Sequence, residues 1–244
     1  MRGRAILPTA LAAVAVTVAV GVALFPLSLA LRLADASIEG RPSGRVWNGT
    51  VEDAQVRGAD LGTLHLRPGL LTLLTGSLRG AVSVDGPSGQ GAGVLSERGD
   101  ELTIHTWEGT VSLDAFGAVG PFGRPLGGTA DVRVEEARLT REGCQSGIVE
   151  VRTDALLRAT QGLGAVLSAP ELSGEGTCRD GTLTLPLRGA GPDGTVVAVL
   201  RLSANGYLTE LTVAPNDPGA GRALAAYGFQ RTPDGYSLLT RGAY

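Results

Sequence analysis

The chain has 244 residues, of which 43% are apolar, so it is long enough for one or two domains with a hydrophobic core. All 21 basic residues are arginine, which excludes Schiff-base lysines, lysine general bases and phosphate loops that end in Gly-Lys-Ser/Thr. The net charge of −3 offers no electrostatic footprint for nucleic acid, and two histidines with two cysteines leave little room for a zinc site.

The first predicted element is a long apolar helix. Residues 6–31 form a run of 26 residues without a charged side chain, shortly after Arg2 and Arg4. A helix of this length spans about 39 Å, more than the hydrocarbon core of about 30 Å, so the run predicts a transmembrane anchor. The apolar stretch of a signal peptide is shorter, about 7–15 residues. Because the Ala-Asp-Ala sequence at 34–36 resembles a cleavage site, removal of the segment is the alternative.

Arginines on both sides of this run bear on its orientation. Arg2 and Arg4 favour a cytoplasmic N-terminus, whereas three arginines between residues 32 and 45 lie close to the other end. The short tail, and the weak influence of charge on long translocated domains, favour the orientation with the N-terminus in the cytoplasm. We therefore expect two parts, a cytoplasmic tip with its anchor over residues 1–32 and one β domain over residues 33–244.

After the anchor, short runs of alternating apolar and polar residues predict β-strands. The alternating apolar positions are Val82, Val84 and Val94; Leu102 and Ile104; Val111 and Leu113; Val132, Val134, Ala137 and Leu139; Leu183, Leu185 and Leu187; Leu200, Leu202 and Ala204; and Leu208, Leu211 and Val213. Asn-Gly and Asp-Gly pairs supply the positive φ that tight hairpin turns need. Six such pairs begin at Asn48, Asp85, Asp180, Asp193, Asn205 and Asp234. The pattern predicts a mainly β fold, a Gly-rich antiparallel meander sheet, and leaves open whether this sheet is flat, curved into a groove or closed.

Two or three short helices are predicted between the strands. The segments are 68–74, 153–160 and 217–227. The first opens with a proline, the third begins with Asp217 as a cap followed by Pro218, and a glycine follows each segment within two residues.

The two tryptophans of the chain lie in similar sequences sixty residues apart. Residues 47–51 read Trp-Asn-Gly-Thr-Val and residues 107–111 read Trp-Glu-Gly-Thr-Val, and each predicts the opening of a strand. A repeated recognition aromatic is one interpretation. We favour the other, a tryptophan that covers a hairpin corner, because tryptophan commonly supplies packing area.

The two cysteines lie in polar, Gly-rich stretches, whereas buried thiols are more often found among Val, Ile and Leu. An even number of cysteines in an exported chain predicts one disulfide bond, between Cys144 and Cys178. Two unpaired thiols are the alternative. Because no Cys-x-x-Cys motif is present, a redox-active dithiol is not expected.

No catalytic, cofactor-binding or metal-binding residue is predicted. Residues 86–89 do not match the Gly-x-Ser-x-Gly sequence of many serine hydrolases. His65 and His105 each lie in an alternating stretch, which predicts ordinary strand residues. The Gly-rich sequence at 89–93 has the wrong spacing for a dinucleotide loop and indicates a hairpin or bulge. Residues 48–50 match a glycosylation acceptor, but a turn accounts for the same residues.

Several segments follow one another in an order typical of one protein family. The most specific element consists of Gly44, Val46, Trp47, Asn48, Gly49 and Thr50. The other segments are the anchor before it, Leu61-Gly62, Pro68 with Leu70 and Leu71, residues 76–78, the Cys144 and Cys178 segments, Leu224, and residues 227–229, 235–238 and 242. Together they resemble the type II secretion system protein N family, also called general secretion pathway protein N. One departure is that no tryptophan stands near Leu64 and His65.

This resemblance implies an inner-membrane protein with a single span, a cytoplasmic N-terminus and a periplasmic β domain. It implies a non-catalytic component of the type II, or general, secretion pathway, which exports folded proteins from the periplasm. The expected partners are other secretion-machine subunits and the inner membrane, without nucleic acid and without a cofactor. We expect the β domain to act as a scaffold or interaction subunit.

Two other functions are compatible with the sequence. A lipid or hydrophobic-ligand groove requires a solvent-open strip of leucine and valine along one concave face. A periplasmic hydrolase requires His65 or His105 within hydrogen-bond reach of both a carboxylate and a hydroxyl nucleophile.

Overall fold

The computed structural model describes residues 27, 39–56, 59–69, 78–116, 127–160 and 169–242, and these residues are mainly β. The strands are β1 (Glu39–Arg45), β2 (Asn48–Val56), β3 (Ala59–Pro68), β4 (Leu78–Gly86), β5 (Gly89–Arg98), β6 (Glu101–Ser112), β7 (Thr129–Thr140), β8 (Gly143–Thr153), β9 (Leu172–Arg179), β10 (Thr182–Gly191), β11 (Gly194–Ser203), β12 (Gly206–Pro215), β13 (Gln230–Thr232) and β14 (Gly235–Gly242). Two α-helices, α1 (Ala155–Thr160) and α2 (Ala220–Ala226), and a 3-10 helix at Leu113–Phe116 interrupt them.

All of these strands belong to one antiparallel sheet. They follow chain order up to β12, and β14 then pairs with β12 while the short β13 pairs with the outer side of β14. The sheet is open, with β1 and β13 as its first and last strands. The predicted antiparallel meander is confirmed.

The hairpin turns lie close to the predicted pairs but are mostly displaced from them. Both Asp180 and Gly181 occupy a turn and have positive φ. In the hairpins at Asp193, Asn205 and Asp234 the Asn or Asp ends the turn, and the glycine is the first residue of the next strand. These glycines have φ between 133 and 152, and a Cβ on each of the first and last would meet a carbonyl oxygen of the neighbouring strand.

Two of the six predicted turns are displaced further, by two residues each. The turn between β1 and β2 consists of Val46 and Trp47, so Asn48 already belongs to the strand. The turn between β4 and β5 consists of Pro87 and Ser88, after the predicted Asp-Gly pair. In both hairpins the strand pairing continues through the Asn-Gly or Asp-Gly pair, and the tight turn falls beside it.

The sheet has one apolar face, which holds three buried clusters. The largest lies on β9–β14 and includes Leu172, Leu185, Leu187, Val196, Ala198, Leu211 and Val213 with Leu156 of α1, Leu224 of α2 and Phe229. The central cluster is Val134, Ala137 and Val149, and the N-terminal cluster is Leu27, Val51, Ala54 and Leu64. The opposite side, which we call the polar face, carries Glu108, Arg133 and Glu150 in register on β6–β8.

Two predicted apolar positions lie on the polar face. Val94 pairs with Ala81, and Leu208 pairs with Arg241. Two others lie outside the strands, since Leu113 belongs to the 3-10 helix and Ala204 lies in the turn before β12. The remaining alternation is obeyed because a half-buried strand places every second side chain on the core side of the sheet.

Trp107 covers the part of the apolar face where β5 has only glycine. A Cβ on Gly91 would lie 2.7 Å from the indole Cζ2, and a Cβ on Gly93 would lie 2.9 Å from Cε3. The indole therefore lies directly on the β5 backbone. Trp107 is in the middle of β6, which corrects its predicted place at a hairpin corner, whereas Trp47 lies in the turn before β2.

Two of the three predicted helices are confirmed. Helix α1 falls within the segment 153–160, and α2 begins at Ala220, three residues after the predicted cap Asp217. Pro68 ends β3, and most of the first predicted helical segment, residues 70–74, lies outside the described residues. The predicted anchor also lies outside them, except for Leu27. Within the part of the chain that the structure describes, no helix is long and apolar enough to cross a membrane.

Candidate functional site

The hairpin motif singled out by the sequence joins β1 and β2. Gly44 has a φ of 81 and pairs with Gly49 across the hairpin. A Cβ on Gly44 would come within 2.7 Å of the carbonyl oxygen of Asn48, so this tight hairpin requires a glycine there.

Gly49 also leaves space for a residue of the apolar N-terminal run. A Cβ on Gly49 would lie 2.5 Å from Cδ2 of Leu27. Leu27 is 4% exposed and packs with Val51 and Leu64, which are 1% and 5% exposed. The hairpin motif is therefore the place where Leu27 packs into the core of the sheet.

The first histidine lies on the exposed side of this hairpin region. The Nδ1 atom of His65 lies 3.2 Å from Oγ1 of its register partner Thr50. No described carboxylate contacts the ring. His65 therefore does not meet the requirement for a hydrolase.

The second histidine does have both partners. His105 Nε2 lies 2.9 Å from Ser96 Oγ, and its Nδ1 lies 3.5 Å from Oε1 of Glu136. His105 is the extra residue of a bulge against β5, because Thr106 pairs with Val94 and Ile104 pairs with the next residue, Leu95. Glu136 lies in a bulge of β7 against β8, and the β6–β7 register places it opposite His105. Glu136 has a φ of 47, which is uncommon for a residue with a side chain.

Sequence reasoning missed this group because its three members are far apart in the chain. Ser96 and His105 lie on neighbouring strands and Glu136 lies on a third. Each bulge adds a residue that the hydrophobic alternation does not reveal, so only the strand register brings the three together. Their contacts reproduce the serine–imidazole–carboxylate order of a hydrolase triad.

Within the described part of the chain, the surroundings of Ser96 lack the other parts of a hydrolase site. Ser96 is in mid-strand with Arg79 and Thr103 as register partners, so its backbone amide belongs to the sheet ladder and is not aimed at a developing oxyanion. Glu136 is 73% exposed, whereas the acid of a triad is buried where it orients the imidazole. The contacts among Ser96, His105 and Glu136 are therefore best explained as structural ones that hold two adjacent bulges together.

A concavity of about 620 Å³ lies on the polar face, across β6–β9. Its lining is Glu108, Gly109, Thr110, Asp131, Val132, Arg133, Glu150, Val151, Arg152, Ser173, Gly174 and Glu175. The Arg133 guanidinium donates to Glu108 at 2.9 Å and lies 4.0 Å from Glu150. The hydrogen bond from Arg133 to Glu108, together with the negative charges of both glutamates, raises the pKa of Arg133, which stays charged.

This concavity offers a polar contact surface and not a lipid groove. Its side chains are mainly carboxylates, guanidiniums and hydroxyls, so the solvent-open strip of leucine and valine that a lipid groove requires is missing from it. Among the described residues, no group of three His, Cys, Asp or Glu is placed to hold a metal ion.

The two cysteines form the predicted disulfide bond. Their Cα atoms are 5.3 Å apart, and they are separated by 34 positions in the chain. Cys144 is the second residue of β8 and pairs with Leu139 of β7, and Cys178 is near the end of β9 and pairs with Leu183 of β10. The bond therefore joins two neighbouring hairpins near their turns.

Together these features define an open antiparallel sheet, tied by a disulfide, with an apolar face that its own chain packs near both ends and a polar face that carries a charged concavity. The chain belongs to the type II secretion system protein N family. The family model described as "Type II secretion system (T2SS), protein N" matches residues 39–239. The chain is therefore a component of a membrane-associated protein-secretion machine, whose other subunits are its partners. No curated protein and no solved structure matches it.

Proposed function

We propose that the chain is an inner-membrane subunit of the secretion machine that acts by holding and contacting proteins, without catalysis. Residues 1–32 form the cytoplasmic tip and anchor, and residues 33–244 form the periplasmic β domain. In this role the anchor fixes where the sheet lies, and the sheet presents its charged face and its edges to other subunits.

The observation that carries this proposal is the position of Leu27. It belongs to the uncharged run 6–31 and is buried in the sheet beside Gly49 and Val51. An anchor whose end shares a core with the domain restricts the orientation of that domain, whereas a flexible tether of the same length leaves it free. Restricted orientation is what a scaffold beside a membrane requires.

Complementation of a deletion strain tests the proposal. We expect secretion to be restored by the full chain, and by a chain whose residues 1–26 are replaced by the span of an unrelated single-pass protein. A cleavable signal peptide in place of residues 1–26 keeps Leu27 and releases the domain into the periplasm, and we expect this form to lose secretion although it is exported. Full secretion by the released domain would contradict the proposal.

Cross-linking in living cells tests the contact role. With an affinity tag on the full chain, we expect formaldehyde to capture other subunits of the secretion machine. Protease added to spheroplasts should digest residues 33–244 and leave the tip protected. Capture of none of those subunits, or a protected β domain, would contradict the proposed placement.

A further inference from the structure

The two edges of the sheet differ in how well they are protected. The β1 edge carries Arg41, Pro42 and Arg45, and its register shifts between Glu39 and Arg41. Charged side chains, proline and irregular register are features by which sheet proteins prevent pairing at an edge. Arg41 also forms an ion pair with Asp53 on β2.

The other edge is largely unprotected. Strand β13 pairs only with Gly235, Tyr236 and Ser237 of β14. From Leu238 to Gly242, β14 pairs with β12 on one side and, among the described residues, with no strand on the other. Leu239 lies in this stretch and is 63% exposed, the highest value among the exposed large apolar side chains of the described residues.

The register identifies the backbone groups that face outward. Thr232 and Gly235 flank the two-residue turn of the β13–β14 hairpin, so they are a hydrogen-bonded pair. Because these groups alternate along an antiparallel strand, the N–H and C=O of Leu239 and Arg241 point away from β12. Those of Thr240 point toward β12, where Thr209 is its register partner.

We propose, on the basis of the scaffold role proposed above, that β14 pairs in antiparallel fashion with β14 of a second copy of this chain. The two-fold axis passes through Thr240. Leu239 then forms a hydrogen-bonded pair with the partner's Arg241, and Arg241 forms the equivalent pair, giving about four backbone hydrogen bonds.

Charge complementarity favours a second copy of this chain as the partner that pairs with the β14 edge. Glu210 is the register partner of Leu239 on β12, and both are on the polar face. The partner's Arg241 lies on the other side of Leu239, about 10 Å from Glu210 along the direction across the strands. A glutamate and an arginine side chain together bridge this distance across the exposed leucine. The two-fold axis repeats the arrangement, and Glu210 and Arg241 are both exposed.

A disulfide trap tests this pairing in the full-length protein in the membrane. The two Thr240 residues face each other at a non-hydrogen-bonded position with Cα atoms about 4.5 Å apart, which suits a disulfide bond. We expect Thr240→Cys to give a reducible dimer on non-reducing gels. Ser237→Cys is the matched control, because β13 covers that position, and we expect it to stay monomeric. The native cysteines are already bonded to each other.

Charge exchange distinguishes this pairing from chance collision. In the Thr240→Cys background, we expect Glu210→Arg and Arg241→Glu each to reduce the dimer several-fold, and the double exchange to restore it. The proposal is overturned if Thr240→Cys stays monomeric, if Ser237→Cys cross-links equally, if the double exchange fails to restore the dimer, or if the thiol introduced by Thr240→Cys captures a different secretion subunit. Because the readout is the dimer itself, its failure leaves the secretion and cross-linking tests of the scaffold role unaffected.

Discussion

The fold lowers the pKa of the Asp154 carboxyl. Partial burial alone raises the pKa of this carboxyl, but hydrogen bonds from the Thr129 backbone N–H at 2.7 Å and from the Arg158 guanidinium at 3.0 Å outweigh it and hold the pKa below its usual value. Through these contacts Asp154 joins β7 to the first turn of α1.

The lowered pKa of Asp154 predicts how stability depends on pH. A carboxyl whose pKa is lower in the folded chain contributes stability above its unfolded pKa, and this contribution is lost as pH falls through the folded value. We expect Asp154→Asn to lower the midpoint of thermal unfolding at pH 7, and this deficit should shrink progressively as the pH falls below about 4. The control is Asp100→Asn, whose ion pair with Arg141 is exposed and which should change the midpoint little. Equal losses in both variants would contradict the prediction.

The Ser96–His105–Glu136 group makes a second prediction at the scale of single residues. Because Ser96 lacks oxyanion donors and lies in mid-strand, we expect a fluorophosphonate probe to leave it unmodified, as measured by intact-protein mass spectrometry. The Ser96→Ala variant shows how much labelling comes from other serines. Labelling of Ser96 that disappears in His105→Ala would show that the group is catalytic.

Among the elements, the β1–β2 hairpin forms the contact with Leu27. Leu27→Ala removes a buried side chain, and Gly49→Val places new atoms where Leu27 lies. We expect each change to cost about 2–3 kcal/mol in the free energy of unfolding. The double variant should be less destabilised than the sum, because the shorter alanine side chain at position 27 leaves space for valine. Chemical denaturation of all four proteins in detergent measures this coupling, and strict additivity would contradict the contact.

The disulfide bond supports a second pair of elements, the β7–β8 and β9–β10 hairpins. It closes a loop of 34 positions, for which the loss of chain entropy in the unfolded state corresponds to about 3–4 kcal/mol. We expect Cys144→Ser with Cys178→Ser to lose roughly this amount, and reductant to destabilise the native chain but not the double variant. A double variant as stable as the native chain would show that sheet packing alone fixes these hairpins.

At the scale of the whole molecule, the fold is one long sheet whose apolar face is packed near both ends by its own chain. Leu27 packs at the N-terminal end, and α1 and α2 pack over β9–β14. The concavity on the other face is charged. We therefore expect native mass spectrometry of the detergent-extracted protein to find no bound lipid beyond that on an unrelated single-span control. A stoichiometric lipid would restore the groove hypothesis.

The meander could be predicted because its determinants are local. The alternation through Leu183, Leu185 and Leu187 and the turn at Asp180 and Gly181 act within ten residues of one another, so one stretch of sequence contains the whole signal. Chain order then becomes strand order. The disulfide was predictable for another reason, since the chain holds only two cysteines and the apolar run points to an oxidising compartment.

The parts that the sequence left open depend on register between distant residues. A bulge shifts the register by one residue, and two aligned bulges bring His105 and Glu136 together without any mark in the hydrophobic pattern. The packing of Leu27 against Gly49 likewise joins residues far apart in the chain. The exposed β14 edge depends on how few residues of β14 pair with β13. By itself the sequence determined the strands, the approximate places of the turns and the disulfide, because these follow from local geometry and composition. Only the tertiary structure decided which side chains meet and which edge stays open, because both depend on how whole strands pair.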